Sequence, residues 1–206
     1  MDFESLIKEQ NEMSKKIILK DCFKKPVKTV AGFDCCYRGN NQICAGVVLD
    51  YKTLETIEMK TVTGKETFPY VPGFLSYREG QGIISVYRSL KNNPDVIFID
   101  GHGISHPRGI GLASYVGLIL DKPTIGIAKS ILTGVIKDDK LFLNGKQVGW
   151  VIRKGKRKVF ISPGQKISLK TSRELVLHTI IHRIPEPIRL ADRYAAKVKN
   201  EKLQSE

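Results

Sequence analysis

The chain has 206 residues, 41% of them hydrophobic and 27% charged, and a formal net charge of +13. This balance excludes a disordered chain, and no run approaches the roughly 20 apolar residues that a membrane-spanning helix requires. The surplus of Lys and Arg favours an anionic partner, nucleic acid first, because each neutralised phosphate releases condensed counterions; a basic surface also serves solubility.

The opening MDFESLIKEQ is acidic and polar where a secretion signal is basic and then apolar, so a cytoplasmic location is expected. Residues 3–16 read as a helix with Leu6, Ile7 and Met13 among its apolar positions, followed by a basic connector through Lys24 and Lys25. Residues 28–36, 42–50 and 54–61 are β-rich runs separated by turn chemistry, which predicts a three-stranded antiparallel meander. A proline-bounded loop and a helix then occupy 69–91. Residues 95–100 form a continuous apolar run of the kind found at the centre of a covered sheet, and it ends on a carboxylate. A helix over 109–120 and a strand over 123–129 complete a right-handed βαβ crossover. Further strands are expected over 141–153 and 158–161. Thr171 with Glu174 predicts a capping box before a helix at 175–182, and Pro185-Glu186-Pro187 separates it from a last helix. No linker, repeat or low-complexity segment interrupts the series. The expectation is one α/β domain over 1–206, a ribonuclease H-like mixed sheet flanked by helices, with 199–206 frayed. The four cysteines, Cys22, Cys35, Cys36 and Cys44, have no paired metal spacing and are expected to be reduced packing residues.

Two aspartates stand out because they end apolar strands: Asp34 after Val30-Ala31-Gly32-Phe33, and Asp100 after Val96-Ile97-Phe98-Ile99. An ionised carboxylate in a poorly solvated position is costly unless it is paired or bound to a cation. On neighbouring strands the two aspartates would suit one hard divalent ion, Mg²⁺ above all. Taken singly, either is as readily a strand-end residue binding a loop amide. The stretch from Pro69 to Glu79 brings a third carboxylate behind a rigid loop whose Tyr70 and Pro72 could wedge into a base stack or simply pack. Gly101, Gly103, Gly109 and Gly111 follow the Asp100 strand end and suggest close backbone approach to a ligand, without the spacing of a dinucleotide fingerprint. His106 and Lys129 are the nearby candidates for phosphate contact.

Together these segments resemble one family. GFDCCY at 32–37, PYVPGFLSYRE at 69–79, DGHGISHPRGIGLAS at 100–114 and PTIGIAKS at 123–130 are similar, in order and interval, to the motifs of endonuclease V. RIPEPIRLADR at 183–193 resembles its C-terminal signature, so the likeness runs from about Leu6 to Val198. The resemblance implies a ribonuclease H-like fold, dependence on Mg²⁺ with Mn²⁺ as a substitute, and action on DNA, or inosine-containing RNA, as a monomer with no membrane role. It implies that Asp34 and Asp100 are direct metal ligands, that Glu79 helps place metal-bound water, and that Asp192 lies close to the metal. His106 and Lys129 correspond to residues beside the reacting phosphate. Tyr70 corresponds to the strand-separating wedge, with Pro72 beside it. Gly73, Leu75, Gly101, Gly103, Gly111 and Leu112 fall where the family lines its hypoxanthine pocket. The implied reaction is hydrolysis of the second phosphodiester 3′ to deoxyinosine, leaving a 3′-hydroxyl and a 5′-phosphate. The chain departs from the pattern at Asp192, where some members carry His, at Tyr115, where His is frequent, and at Gly109, where a second Arg is common. A ribonuclease H-like nuclease acting on RNA or branched structures, and a non-catalytic nucleic-acid-binding module, are the rival readings.

Overall fold

The protein is described by a computed structural model covering residues 2–154 and 157–204. Antiparallel strands β1 (Thr29–Arg38), β2 (Asn41–Asp50) and β3 (Thr56–Lys65) form the expected meander. The strand β4 (Val96–Asp100) pairs parallel to β1, and β5 (Thr124–Ala128) pairs parallel to β4. Beyond them β9 (Arg157–Gln165), β8 (Lys146–Lys154), β7 (Lys140–Leu143) and β6 (Val135–Lys137) add antiparallel strands, giving one sheet in the order β3-β2-β1-β4-β5-β9-β8-β7-β6. A meander whose first strand abuts two parallel strands is the ribonuclease H-like arrangement expected from the sequence.

Helices cover both faces because the central strands are apolar on both. On one face Ala31, Phe33, Ile97 and Ile99 pack against α2 (Leu75–Ser89) and α3 (Leu112–Leu120). On the other, Val30, Phe98, Ile125 and Ile127 pack against α4 (Leu169–Thr179) and α5 (Glu186–Gln204). Burying one such Val, Ile or Phe side chain contributes about 1.5–3 kcal/mol, so the alternation of the two sets along β1 and β4 fixes the register. The α5 layer comes closest at Gly32, where a Cβ would lie 2.1 Å from the carbonyl oxygen of Pro187. That approach requires glycine and brings the later turns of α5 over the end of β1. The first helix, α1 (Phe3–Ser14), starts at Asp2, whose carboxylate accepts the Ser5 N–H at 3.1 Å. Among the described residues no helix is long and apolar enough to cross a membrane.

Several expectations are corrected. The run 141–153 is two strands, broken where Asn144 and Gly145 both adopt positive φ to turn the chain, and β6 precedes them. The third strand begins at Thr56 because Leu54 sits at φ 60 in the preceding turn. The α4 helix starts three residues before the Thr171 capping box, at Ser168, whose hydroxyl accepts the Thr171 N–H at 3.1 Å. It also ends at Thr179, short of His182. Cys35 and Cys44 form a disulfide rather than standing reduced: antiparallel register sets them directly opposite on β1 and β2 with Cα atoms 4.1 Å apart. Cys22 and Cys36 are free. The basic run 153–158 spans the β8–β9 turn and lies partly outside the described residues; Arg153 and Lys158 are cross-strand partners.

Candidate active site

The parallel register ends with Phe33 opposite Ile99, so the next residues along the two strands, Asp34 and Asp100, stand side by side at the carboxyl end of the sheet. Since Phe33 and Ile99 face α2 and α3, strand alternation turns both aspartates toward the α5 layer. Such a sheet end, where the chain order reverses between β1 and β4, is where open α/β sheets bind ligands. Lys129 follows the neighbouring strand β5 and ion-pairs with Asp100 at 2.5 Å. Asp34 also accepts the backbone N–H of Cys35 at 2.8 Å.

The electrostatics are those of a site short of positive charge. Burial, followed by the negative charge of Asp100, pushes the Asp34 carboxyl up to about 8, against the pull of Lys129 and the Cys35 N–H. Asp100 is likewise raised by burial, with Lys129 opposing. For Lys129, burial favours the neutral amine but is outweighed by Asp100, Asp34 and Asp192, so its ammonium is held more firmly than usual. Asp192 is exposed on α5, and its charge is felt by Asp34, Asp100 and Lys129.

Glu79 comes from the opposite layer, on α2, and is buried. Its Oε1 accepts the Tyr37 hydroxyl at 2.9 Å, while burial, with Asp100 adding to it, lifts its carboxyl to about 7. Because Glu79 and the aspartate pair reach the sheet end from two sides, no three His, Cys, Asp or Glu among the described residues are gathered at metal-ligand spacing. The donor chemistry nevertheless fits a hard divalent cation. Two adjacent carboxylates raised by burial, Asp34 further by the charge of Asp100 and Asp100 by that of Asp192, constitute the negative potential that such an ion offsets.

Beside this pair lies a cavity of about 240 Å³ lined by Tyr70, Pro72, Gly73, Leu75, Gly101, Gly111 and Leu112, with Asp100 and Lys129 at its rim. Tyr70 is 68% exposed, free of the core, with the Arg78 guanidinium 5.9 Å from its ring. Gly103, expected in this lining, sits behind it. A Cβ there would lie 2.1 Å from the Pro163 carbonyl oxygen, and its N–H donates to Ser162 Oγ at 2.8 Å. Gly103 is therefore a packing contact that lets the 101–111 loop lie against β9. His106 lines the cavity, but both of its ring nitrogens are engaged by the protein. Nδ1 accepts the Arg108 N–H at 3.2 Å, which leaves Nε2 to donate to the Gly73 carbonyl at 3.0 Å. Burial, reinforced by Arg108, depresses it to about 4, so it is neutral.

The sequence reading missed the residues that hold this geometry. Gln10 of α1, only 1% exposed, donates to the same Gly73 carbonyl at 3.0 Å, and Arg108 donates to it at 2.7 Å. Tyr37 orients Glu79, and Arg78 stacks 4.1 Å from the Tyr37 ring while pairing with Glu66 at 2.7 Å. Of these, Tyr37, Arg78 and Arg108 lie inside the quoted motifs, whereas nothing in the helical pattern around Gln10 marks it.

The family model described as Endonuclease V matches residues 11–193. The endonuclease V of Dictyoglomus turgidum is 41% identical over 99% of this chain and 94% of its own length. That of Dictyoglomus thermophilum is 42% identical over 100% and 95%. Among solved structures, endonuclease V from Streptomyces avermitilis superposes with a TM-score of 0.90 at 31% identity, covering 98% of this chain and 95% of that one. The Ciona intestinalis endonuclease V, in complex with a 24mer DNA containing an inosine followed by a ribo-adenosine, superposes at 0.89 with 28% identity, covering 97% and 98%.

Proposed function

Since the chain belongs to the endonuclease V family, we propose that it is a repair endonuclease that turns a deaminated adenine out of a DNA strand and hydrolyses the second phosphodiester on its 3′ side. The products are a 3′-hydroxyl and a 5′-phosphate. The observation that carries the reading is the placement of Asp34, Asp100 and Lys129 at one sheet end, beside a glycine-rimmed cavity with an exposed tyrosine at its lip. A base-sized cavity beside paired carboxylates suits an enzyme that takes its target out of the stack before cutting nearby. The whole of 1–206 acts as one catalytic domain, as a monomer in the cytoplasm.

Asp34 and Asp100 would hold Mg²⁺, or Mn²⁺ in its place, with Glu79 and Asp192 facing its water. When bound, the ion supplies an activated water and stabilisation of the departing oxygen's charge. The chain's own residues do the remaining work. Lys129 exchanges its Asp100 partner for the scissile phosphate and neutralises part of its charge. Tyr70, backed by Pro72, fills the gap left by the extruded base. Gly73 and Gly101 let that base approach the backbone, Gly111 lets the loop close on the 102–103 backbone beside it, and Leu75 and Leu112 give the base an apolar wall. His106 holds the Gly73 peptide in place from behind.

The test is nicking of paired oligonucleotides that differ only in deoxyinosine against deoxyadenosine, with and without Mg²⁺, and with the cut mapped to the nucleotide. Lesion-dependent cleavage at the second 3′ bond is expected; equal cleavage of both strands would reject the lesion reading. A second reading, inosine-containing RNA as substrate, is favoured by the ribo-adenosine that follows the inosine in the DNA of the Ciona complex. The same assay on matched ribo-strands separates the two, because a 2′-hydroxyl at the contacts beyond the lesion is what tells RNA from DNA.

A further inference from the structure

Lys129, the partner of Asp100, lines two cavities. The smaller, on the α2 and α3 side, is the base cavity. The larger, about 940 Å³, opens on the α5 side and is lined by Lys129, Lys158, His182, Arg183 and Arg189, with Asp192 as its acidic member. Ser130 and Ile131, together with Lys129, line both cavities, so the two adjoin along the 129–131 segment at the sheet end.

We propose that this larger groove seats the phosphodiester backbone of the DNA strand on the 3′ side of the cut. The inference rests on the endonuclease reading for its direction. If a base enters the smaller cavity and the second bond on its 3′ side is cut at Asp34, Asp100 and Lys129, the strand crosses the sheet end. Its 3′ continuation then emerges on the α5 side.

The charge inventory of the groove fits that occupant. Arg189 is tied to Glu186 and Lys129 to Asp100. Lys158 and Arg183 are both exposed, and among the described residues neither has an ion-pair partner. Two unpaired cations held at fixed places, one on β9 and one in the segment before α5, are what a backbone polyanion neutralises. Arg183 can grip a phosphate with two parallel N–H donors, whereas Lys158 acts as a point charge. Ile131, Val159 and Ile184 line the same groove and give the sugars an apolar bed. Position along the strand, and not base identity, is what such contacts set.

The experiment uses single-stranded deoxyinosine oligonucleotides in two lengths, one ending just past the cut and one extended by several nucleotides on the 3′ side. The full-length protein is compared with the double variant Lys158→Glu with Arg183→Glu, and with the neutral pair Lys158→Gln with Arg183→Gln. For the unsubstituted protein, the extended strand is expected to have a KM severalfold lower than the short one. In the variants this advantage disappears while kcat is retained. The slope of log Kd against log salt for the extended strand falls by about 1.4, the value for two lost contacts to a single strand. An unchanged slope, or an equal loss on both lengths, overturns the proposal, as does a groove that responds only to acidic peptides added as competitors. Failure of the endonuclease reading looks different: the unsubstituted protein itself would not distinguish deoxyinosine from deoxyadenosine at either length.

Discussion

Gln10, in the first helix, donates its side-chain amide to the carbonyl of Gly73, a residue 63 positions later in the chain, at 3.0 Å. His106 and Arg108 donate to the same oxygen, and the Arg108 Nε also reaches the Gln10 side-chain oxygen. Gly73 has φ 82, a conformation that glycine adopts without strain. Three donors on one carbonyl hold that peptide, and with it the 70–73 rim of the base cavity, in a single orientation.

Gln10→Ala removes one of these donors and leaves Arg108 without its Gln10 partner. A buried hydrogen bond to a charged group is worth about 1.5–3 kcal/mol, so a loss near the lower end is expected, because Gly73 keeps two donors. In function, KM for deoxyinosine strands should rise more than kcat falls, with discrimination against deoxyadenosine reduced. Thermal unfolding and steady-state cleavage check the two halves. A variant equally selective at unchanged KM would make Gln10 a stability residue alone.

The raised carboxyls give the metal-free protein a stability that depends on pH in a defined sense. Asp34 moves from its ordinary value near 3.8 to about 8, and Glu79 from 4.5 to about 7. Each group binds its proton more tightly folded than unfolded, so folding takes up protons across that window. Their contribution is complete below about pH 4 and is lost as pH rises through about 7 and then 8. Asp21 runs the other way. Its burial is outweighed by Lys25, Thr171 and Ser168, which hold it at about 2, so its contribution is present above its ordinary 3.8. Between pH 5 and 8, therefore, the melting temperature in chelator should fall with rising pH. Added Mg²⁺ should restore more of it at pH 8 than at pH 5.5, because the ion needs the ionised carboxylates. Melting curves parallel with and without Mg²⁺ across this range would remove the cation from this site.

Neutralising the site should separate activity from stability. Asp34→Asn leaves Asp100 paired with Lys129 and takes away the buried like charge. The metal-free protein at pH 8 should then gain roughly 1–4 kcal/mol, or about 2–4 °C per kcal/mol for a chain of this size. Cleavage should fall by at least about 10²-fold. Lys129→Met should have the opposite effect on stability, a loss of about 1–2 kcal/mol, because it leaves two carboxylates facing each other. The loss is smaller than for a sequestered pair because the lysine side chain is 56% exposed. Paired melting and cleavage measurements on both variants decide whether the site is built for charge that arrives with its ligands.

What the sequence made legible follows the range of the interactions. The aspartates could be read because an apolar run closing on a carboxylate is a local pattern, although only Asp100 ends its strand: β1 continues past Asp34 to Arg38, and what stops at Phe33 is its parallel pairing with β4. Gln10, Tyr37 and Arg108 act through contacts made across 63, 42 and 35 residues respectively. No periodicity reports such contacts. The Cys35–Cys44 pairing has the same origin, since it depends on hairpin register and not on the spacing of the two cysteines. The boundaries that slipped, at Leu54, at Asn144 and at Ser168, lie where one backbone turn or one hydroxyl cap decides the matter.

Tyr70 is the clearest test of how duplex substrates are opened. At 68% exposure it contributes little to the core, so Tyr70→Ala should change stability by no more than about 0.5 kcal/mol. Its loss should slow cleavage of a fully paired duplex most, that of a duplex with the lesion in a mismatch less, and that of a single strand least, since a single strand has no partner to be held apart. Single-turnover rates on the three substrates give the comparison, and equal reductions would leave the ring without a strand-separating role.

Gly103 distinguishes a pocket residue from the support behind it. A methyl group at this position meets the Pro163 carbonyl oxygen at 2.1 Å, a backbone atom on β9 that has no room to retreat. Gly103→Ala should therefore destabilise the protein by about 1–3 kcal/mol through overpacking. Gly101 stands on the other side of the same loop, where a Cβ would meet Leu112 side-chain atoms at 3.2 Å within the cavity lining. Gly101 also sits at φ 152, a conformation that a side chain strains, so Gly101→Ala should lower the melting temperature and in addition raise KM and reduce base discrimination. If Gly103→Ala folded with an unchanged melting temperature yet lost selectivity for deoxyinosine, the 101–111 loop would have to present that residue to the base.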